Sequence, residues 1–103
     1  MDRVGQLRQF VEKKPGDPFP RYALALELKN GGDAASAAEE LRQLVARVPG
    51  YLPAYLQLGM LLHGLGRIVD ARGAYRSGQD LARSQGNTHA LGELTTALEQ
   101  LGE

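Results

Sequence analysis

The stretch that decides the fold is Tyr55–Tyr75, which reads YLQLGMLLHGLGRIVDARGAY. Its pattern of size and polarity recurs when the chain is shifted by 34 residues, an interval typical of helical repeats. The shift places Leu58 on Leu24, Gly59 on Ala25, Leu62 on Leu28, Gly66 on Gly32, Ala71 on Ala37 and Tyr75 on Leu41. Matches of this kind predict a scaffold of repeated helix pairs, in which apolar residues of each pair form the core.

These residues resemble the pattern of the tetratricopeptide repeat family, in which an aromatic residue, Leu-Gly, Tyr, Ala, Phe and Pro are spaced over two antiparallel helices. The second repeat departs from that pattern at Arg83, where the family has Pro, and the first departs at Arg21, which replaces the aromatic residue. The matching residues are Tyr55, Leu58, Gly59, Leu62, Ala71 and Tyr75 in the second repeat and Leu24, Ala25, Leu28, Ala37, Leu41 and Pro49 in the first.

The resemblance, which extends to small bacterial members of the family, implies an all-α fold. It would be an α-solenoid of antiparallel helix pairs, wound as a right-handed superhelix of about six helices. It also implies protein–protein binding, usually of a peptide or partner surface on the concave face. As one domain of residues 1–103, the chain divides into four segments: a half repeat 2–14, repeats 18–50 and 52–84, and a capping helix 88–102.

Local signals predict where each helix begins and ends. Asp17-Pro18 starts the second helix with a capping carboxylate and a proline, and Pro15-Gly16 and Pro49-Gly50 stop the helices before them. The register of the last helix is ambiguous, and we prefer an offset of 33, which places Leu91-Gly92 on Leu58-Gly59. The expected helices are 2–14, 18–29, 34–48, 53–65, 68–84 and 88–101.

Composition argues against several classes of protein. Twelve basic and twelve acidic residues give no net charge, which disfavours nucleic-acid binding, and the absence of Cys excludes disulfides and thiolate chemistry. No apolar run approaches a membrane span, and the N-terminal residues lack the apolar core of a signal peptide, so a cytoplasmic location is expected. No cofactor is expected.

The predicted partner-binding residues lie on the faces of the first helices of each repeat that point away from Leu24 and Leu58. They are Tyr22, Leu26, Lys29, Leu56, Met60 and His63, and the preferred offset continues the column with His89, Glu93 and Thr96. Only Lys29 offers positive charge there, so a clamp for a partner's C-terminal carboxylate, known in this family, is not expected. The alternative is that these residues pack against one another across a shallow solenoid.

The residues that could bind a metal or take part in catalysis do not form a recognisable catalytic set. A metal site at His63 and His89 would need a third ligand, and Glu93 is one turn from His89. Glu39 and Glu40 point about 100° apart on a helix, which predicts a solvated face. We therefore expect a non-enzymatic protein with no metal.

Two further expectations concern association and packing. The alternative function is a self-associating structural module, a homodimer formed through the groove or through apolar residues of the first helix, which are Val4, Phe10 and Val11. Gly59 and Gly78 are expected where helices approach closely, whereas Gly73 has no evident reason to be glycine.

Overall fold

The computed structural model describes residues 2–102, within which it contains six α-helices and no strand. Each predicted helix is present within one residue of its expected ends, so the all-α prediction is confirmed. Met1 and Glu103 of the predicted domain lie outside the described residues. In the described part of the chain, none of the helices combines the length and apolar character needed to cross a membrane. The helices are α1 (Arg3–Lys13), α2 (Pro18–Asn30), α3 (Ala34–Arg47), α4 (Pro53–Gly64), α5 (Ile68–Gln85) and α6 (Thr88–Gln100).

Short-range hydrogen bonds fix the starts of four helices. Asp2 and Asp33 accept from backbone N–H groups three residues on, at 2.8 and 3.1 Å, and Asn87 does the same at 3.0 Å. Asp17 accepts from the N–H of Phe19 at 3.1 Å. Such caps satisfy N–H groups that have no partner within the helix. The capping residues therefore allow the starts of these helices to be predicted from the sequence.

The chain folds as two compact units, Met1–Tyr51 and Leu52–Glu103. In the first unit, α2 packs against both α1 and α3. In the second unit, α5 packs against α4 and α6, and α4 also contacts α6. Each unit therefore has its own central helix.

Burial follows the 34-residue interval. Leu24 and Leu58 are 1% and 5% exposed, and Leu41 and Tyr75 are 0% and 1% exposed. Equivalent positions of the two repeats are thus core positions in both units, as the pattern predicts. The other buried pairs are Leu28 with Leu62, Ala37 with Ala71 and Ala25 with Gly59.

Two glycines mark close packing in the second unit. A Cβ atom on Gly59 would lie 2.5 Å from Cδ1 and 2.7 Å from Cζ of Tyr75, and one on Gly78 would lie 2.9 Å from Leu94 Cδ2. These distances are well below ordinary carbon–carbon contacts, so the prediction of close approach is confirmed at both glycines. Gly73 is exposed, with nothing within 4 Å of the position of a Cβ.

Arg21, which stands where the family has an aromatic residue, is buried at 6% exposure. Its Nη1 donates to Glu40 Oε1 at 2.9 Å and to Gln43 Oε1 at 3.0 Å. Glu40 also lies 3.5 Å from Nη1 of Arg8 on α1, so one carboxylate joins three helices. The prediction that Glu39 and Glu40 form a solvated face is therefore wrong for Glu40, because buried Arg21 needs an anionic partner.

The preferred register of α6 is wrong at its glycine. Gly92 is exposed in open space, whereas Gly59 is buried against Tyr75. The cause is the preceding helix: α5 has 18 residues and α3 has 14. Because Arg83 stands where the family has Pro, α5 continues to Gln85 and α6 packs through a different set of residues, which is Leu94 and Ala97.

Candidate functional site

A groove of about 910 Å³ lies within the second unit. Helices α4 and α6 form its two walls, and α5 contributes one residue, Tyr75. The lining consists of Leu56, Met60, His63, Gly64, Tyr75, Thr88, His89, Gly92, Glu93, Thr96, Ala97 and Gln100.

The structure brings some of the predicted binding residues together. Leu56, Met60 and His63 line the groove from α4, and the predicted continuation of that column, His89, Glu93 and Thr96, lines it from α6. The two sets face each other across one cavity, because α4 and α6 both pack beside α5.

The remaining predicted residues belong to α2 in the first unit. Tyr22 and Leu26 are half-buried, and Lys29 is exposed. The ring of Tyr22 meets that of Tyr51 edge-on, with centroids 5.4 Å apart, and Tyr51 in turn meets Phe19 at 6.0 Å. Aromatic pairs at these distances attract each other, so Tyr22 is held by its neighbours within this unit.

The groove combines an apolar base with polar edges. Tyr75 is 1% exposed and Ala97 is 8% exposed, whereas Met60 is 49% exposed, which leaves its flexible side chain available to a ligand. The polar residues of the lining are His63, Thr88, His89, Glu93, Thr96 and Gln100. Apolar surface with a few polar groups around it is typical of binding sites.

The only formally charged side chain of this lining, with histidines neutral, is Glu93. Its Oε1 lies 3.6 Å from Nε2 of His89, one helical turn earlier, and its side chain is 51% exposed. Burial raises the pKa of the Tyr75 phenol above its ordinary value. Among residues 2–102, no group of three or more His, Cys, Asp or Glu side chains is placed to hold a metal ion.

Sequence reasoning missed six lining residues, which are Gly64, Tyr75, Thr88, Gly92, Ala97 and Gln100. Spacing could have found most of them, because residues four apart lie on one face of a helix. Thr88, Gly92, Thr96 and Gln100 form one such row, and His89, Glu93 and Ala97 form the row beside it. The register chosen for α6 identified His89, Glu93 and Thr96 in these rows but made Gly92 equivalent to the buried Gly59.

Two helix pairs that share a core pattern at a 34-residue interval define the class of α-helical repeat proteins. Comparison with solved structures narrows the class. The crystal structure of a tetratricopeptide repeat domain protein from Salinibacter ruber is 37% identical over 84% of this chain and 97% of that one, with a TM-score of 0.79. The solution structure of that bacterial domain gives 38% identity, again with a TM-score of 0.79, over 84% of this chain and 88% of that one.

A protein from Bordetella parapertussis also shares the fold, at 25% identity and a TM-score of 0.81, over 99% of this chain and 89% of that one. The chain belongs to the tetratricopeptide repeat family. No protein-family model matches the sequence, and no curated protein matches it.

Proposed function

We propose that the chain is a non-enzymatic interaction module and that its groove between α4 and α6 holds a peptide segment of a partner protein. The family supports the general part of this proposal, because stacked helical repeats typically offer extended surfaces for protein binding. The groove supports the particular part, because its volume and its mixed lining suit a few side chains of a ligand.

The observation that carries the proposal is the exposed apolar surface of α4 inside the groove. Met60 is one of the most exposed large apolar side chains in the described chain, and it lies beside half-buried Leu56. Apolar surface of this kind usually marks an interaction site. Met is suited to such a site because its unbranched thioether adapts to ligands of different shape.

A test of the proposal introduces charge into the groove. Peptides selected from a random displayed library against the purified protein serve as the probe. We expect Met60→Glu to abolish their binding while the helical circular dichroism spectrum stays unchanged, because association would bury an unpaired carboxylate. The matched control is Val69→Glu, which changes an apolar side chain that is 76% exposed on α5 and outside the lining. Selected peptides that bind both variants equally well would refute the proposal.

The face of α2 is a second proposed contact for the partner. Such a contact requires side chains that a partner can reach. Tyr22 and Leu26 are half-buried and Lys29 is exposed, so all three meet this requirement. The variant Leu26→Glu tests this contact in the same binding assay. The proposed partner is a protein or peptide, not a nucleic acid or a membrane. A cytoplasmic location stays a prediction of the sequence.

Self-association is the second candidate function. It is favoured by two exposed aromatic side chains of the first unit, Phe10 at 56% and Phe19 at 68% exposure. Val4 and Val11, which were predicted to share this role, are half-buried. Light scattering over a wide range of protein concentration separates the candidates: a dimer that Phe10→Ser disrupts supports self-association, and a monomer throughout supports the peptide-binding module.

A further inference from the structure

We infer that the segment bound in this groove carries a Lys or Arg side chain next to an apolar one, with the cation beside Glu93 and the apolar side chain against Met60. This inference rests on the proposed function, because it names the chemistry of the occupant of that same groove.

The two walls of the groove, helices α4 and α6, carry no Lys or Arg side chain. The chain has no charged residue between Val48 and Gly66, and from Ser84 onward its only charged residues are glutamates. The twelve basic residues of the sequence therefore all lie outside α4 and α6, although α5, which contributes Tyr75 to the groove, contains Arg72, Arg76 and Arg83. Among the lining side chains, the only formal charge that a ligand meets is that of Glu93, apart from any proton carried by a histidine.

The Glu93 carboxylate has hydrogen-bonding capacity left for a ligand. Its side chain is half exposed, and the distance of 3.6 Å to His89 Nε2 is too long for a hydrogen bond. A carboxylate has about four acceptor positions, so Glu93 retains capacity for a donor supplied by a ligand. In contrast, Glu40 in the first unit already accepts from buried Arg21 at 2.9 Å and has no comparable role.

The C-terminal ends of two helices also border the groove. The lining includes Gly64 and Gln100, the last residues of α4 and α6. Carbonyl groups at the C-terminal ends of helices carry partial negative charge, which attracts cations. At this end of the groove the helix C-termini and Glu93 therefore act in the same direction, whereas the N-terminus of α6 at Thr88 places partial positive charge at the other end.

These charges also exclude one kind of ligand. A C-terminal carboxylate or a phosphorylated residue placed in the groove would face Glu93, with no Lys or Arg in the lining to offset the repulsion. A wholly apolar segment would contact Met60 but offer no hydrogen-bond donor or cation to Glu93. A mixed segment satisfies both residues.

The experiment compares three synthetic peptides, each capped at both ends, that share a leucine-containing sequence and differ at one central position, which is Lys, Gln or Glu. Each is titrated into the ¹⁵N-labelled protein, and amide shifts report where and how tightly it binds. We expect the shifts to fall on the groove residues and the affinity to follow the order Lys, Gln, Glu. For an exposed ion pair the step from Gln to Lys corresponds to about a twofold to fivefold gain in affinity.

Two variants test the role of Glu93 itself. Glu93→Gln should remove the difference between the peptides, and Glu93→Lys should reverse their order. Glu99→Gln is the matched control, because Glu99 is exposed on the same helix but outside the lining, and it should keep the original order. The exposure of both side chains means that the fold should tolerate all three changes.

The outcomes separate the inference from the proposed function. Equal binding of all three peptides in the groove would overturn the inference and leave the peptide-binding function intact. If the Glu peptide bound best to the parent protein, the inference would also be wrong. If no peptide shifted a groove residue, or if groove signals moved with protein concentration alone, both would fall.

Discussion

The contact between Gly59 and Tyr75 gives the most direct test of how this sequence stabilises its fold. The change is Gly59→Ala, which adds a single methyl group. That methyl carbon would lie 2.5 Å from Cδ1 and 2.7 Å from Cζ of the Tyr75 ring, and the ring is 1% exposed. Carbon atoms in favourable contact are about 3.5–4.0 Å apart. The ring would therefore have to move by about 1 Å inside a closed core.

Two opposing terms set the expected magnitude. Replacing Gly by Ala within a helix stabilises by about 1 kcal/mol, whereas overpacking a core costs about 1–3 kcal/mol. Gly73→Ala is the matched control, because it makes the same change in a helix where nothing lies within 4 Å of the new atom. The control should gain about 0.4–1 kcal/mol of stability. The difference between the two variants should therefore equal the steric cost at Gly59, about 1–3 kcal/mol.

The first repeat suggests a compensating change. It has Ala25 and Leu41 at the positions equivalent to Gly59 and Tyr75, and both are 0% exposed. Glycine therefore accompanies the larger Tyr75 in the second repeat, whereas alanine accompanies the smaller Leu41 in the first. We expect Tyr75→Leu to relieve the clash, so that in the double variant the cost of Gly59→Ala disappears. The coupling energy from the double-mutant cycle should be about 1–3 kcal/mol.

Urea unfolding followed by circular dichroism measures all four free energies, with the slope of the transition checked for each variant. Tyrosine fluorescence provides a second probe, since the chain contains no Trp. If Gly59→Ala stabilised the protein as much as Gly73→Ala, the ring would not lie against Gly59. Additive effects of Gly59→Ala and Tyr75→Leu would refute the proposed complementarity.

Two further predictions concern buried polar groups. Glu40→Ala should destabilise the protein by about 3–5 kcal/mol, because it leaves buried Arg21 without its carboxylate. The control Glu39→Ala, at an exposed position, should stay within about 0.5 kcal/mol of the parent. Urea unfolding measures the free energy of unfolding of both variants. Burial is the main cause that raises the pKa of all four tyrosines above the ordinary value of 10.0, with smaller contributions from Tyr51 at Tyr22 and from Asp17 at Tyr51. The unfolded chain then loses its phenol protons first, so stability should fall as pH rises above 10.0 and a titration of absorbance at 295 nm should show phenolate appearing together with unfolding. Ionisation of all four phenols at their ordinary pKa with the helices intact would contradict this prediction.

The helices and the repeat can be predicted from the amino-acid sequence alone. Capping residues such as Asp17 and Asn87 act on N–H groups two or three residues away, so their effect is visible in a short stretch of sequence. Apolar residues recur at an interval of 34 residues, which places Leu24 and Leu58 in equivalent core positions. This recurrence can be detected by comparing the sequence with itself. It therefore predicted the family and half of the residues that line the groove.

Tertiary structure alone decided how polar residues are used. Arg21 looked like a departure from the family pattern, but its partner Glu40 is 19 residues away and on another helix, and no local rule connects them. The same holds for the groove, where the register of α6 depends on the length of α5 and on packing against Gly78. Spacing had placed Glu93 in the same column as Met60, but the packing of α6 decided that both residues line one cavity. Local signals determine the helices because their range is one turn, whereas the site depends on contacts between helices far apart in the chain.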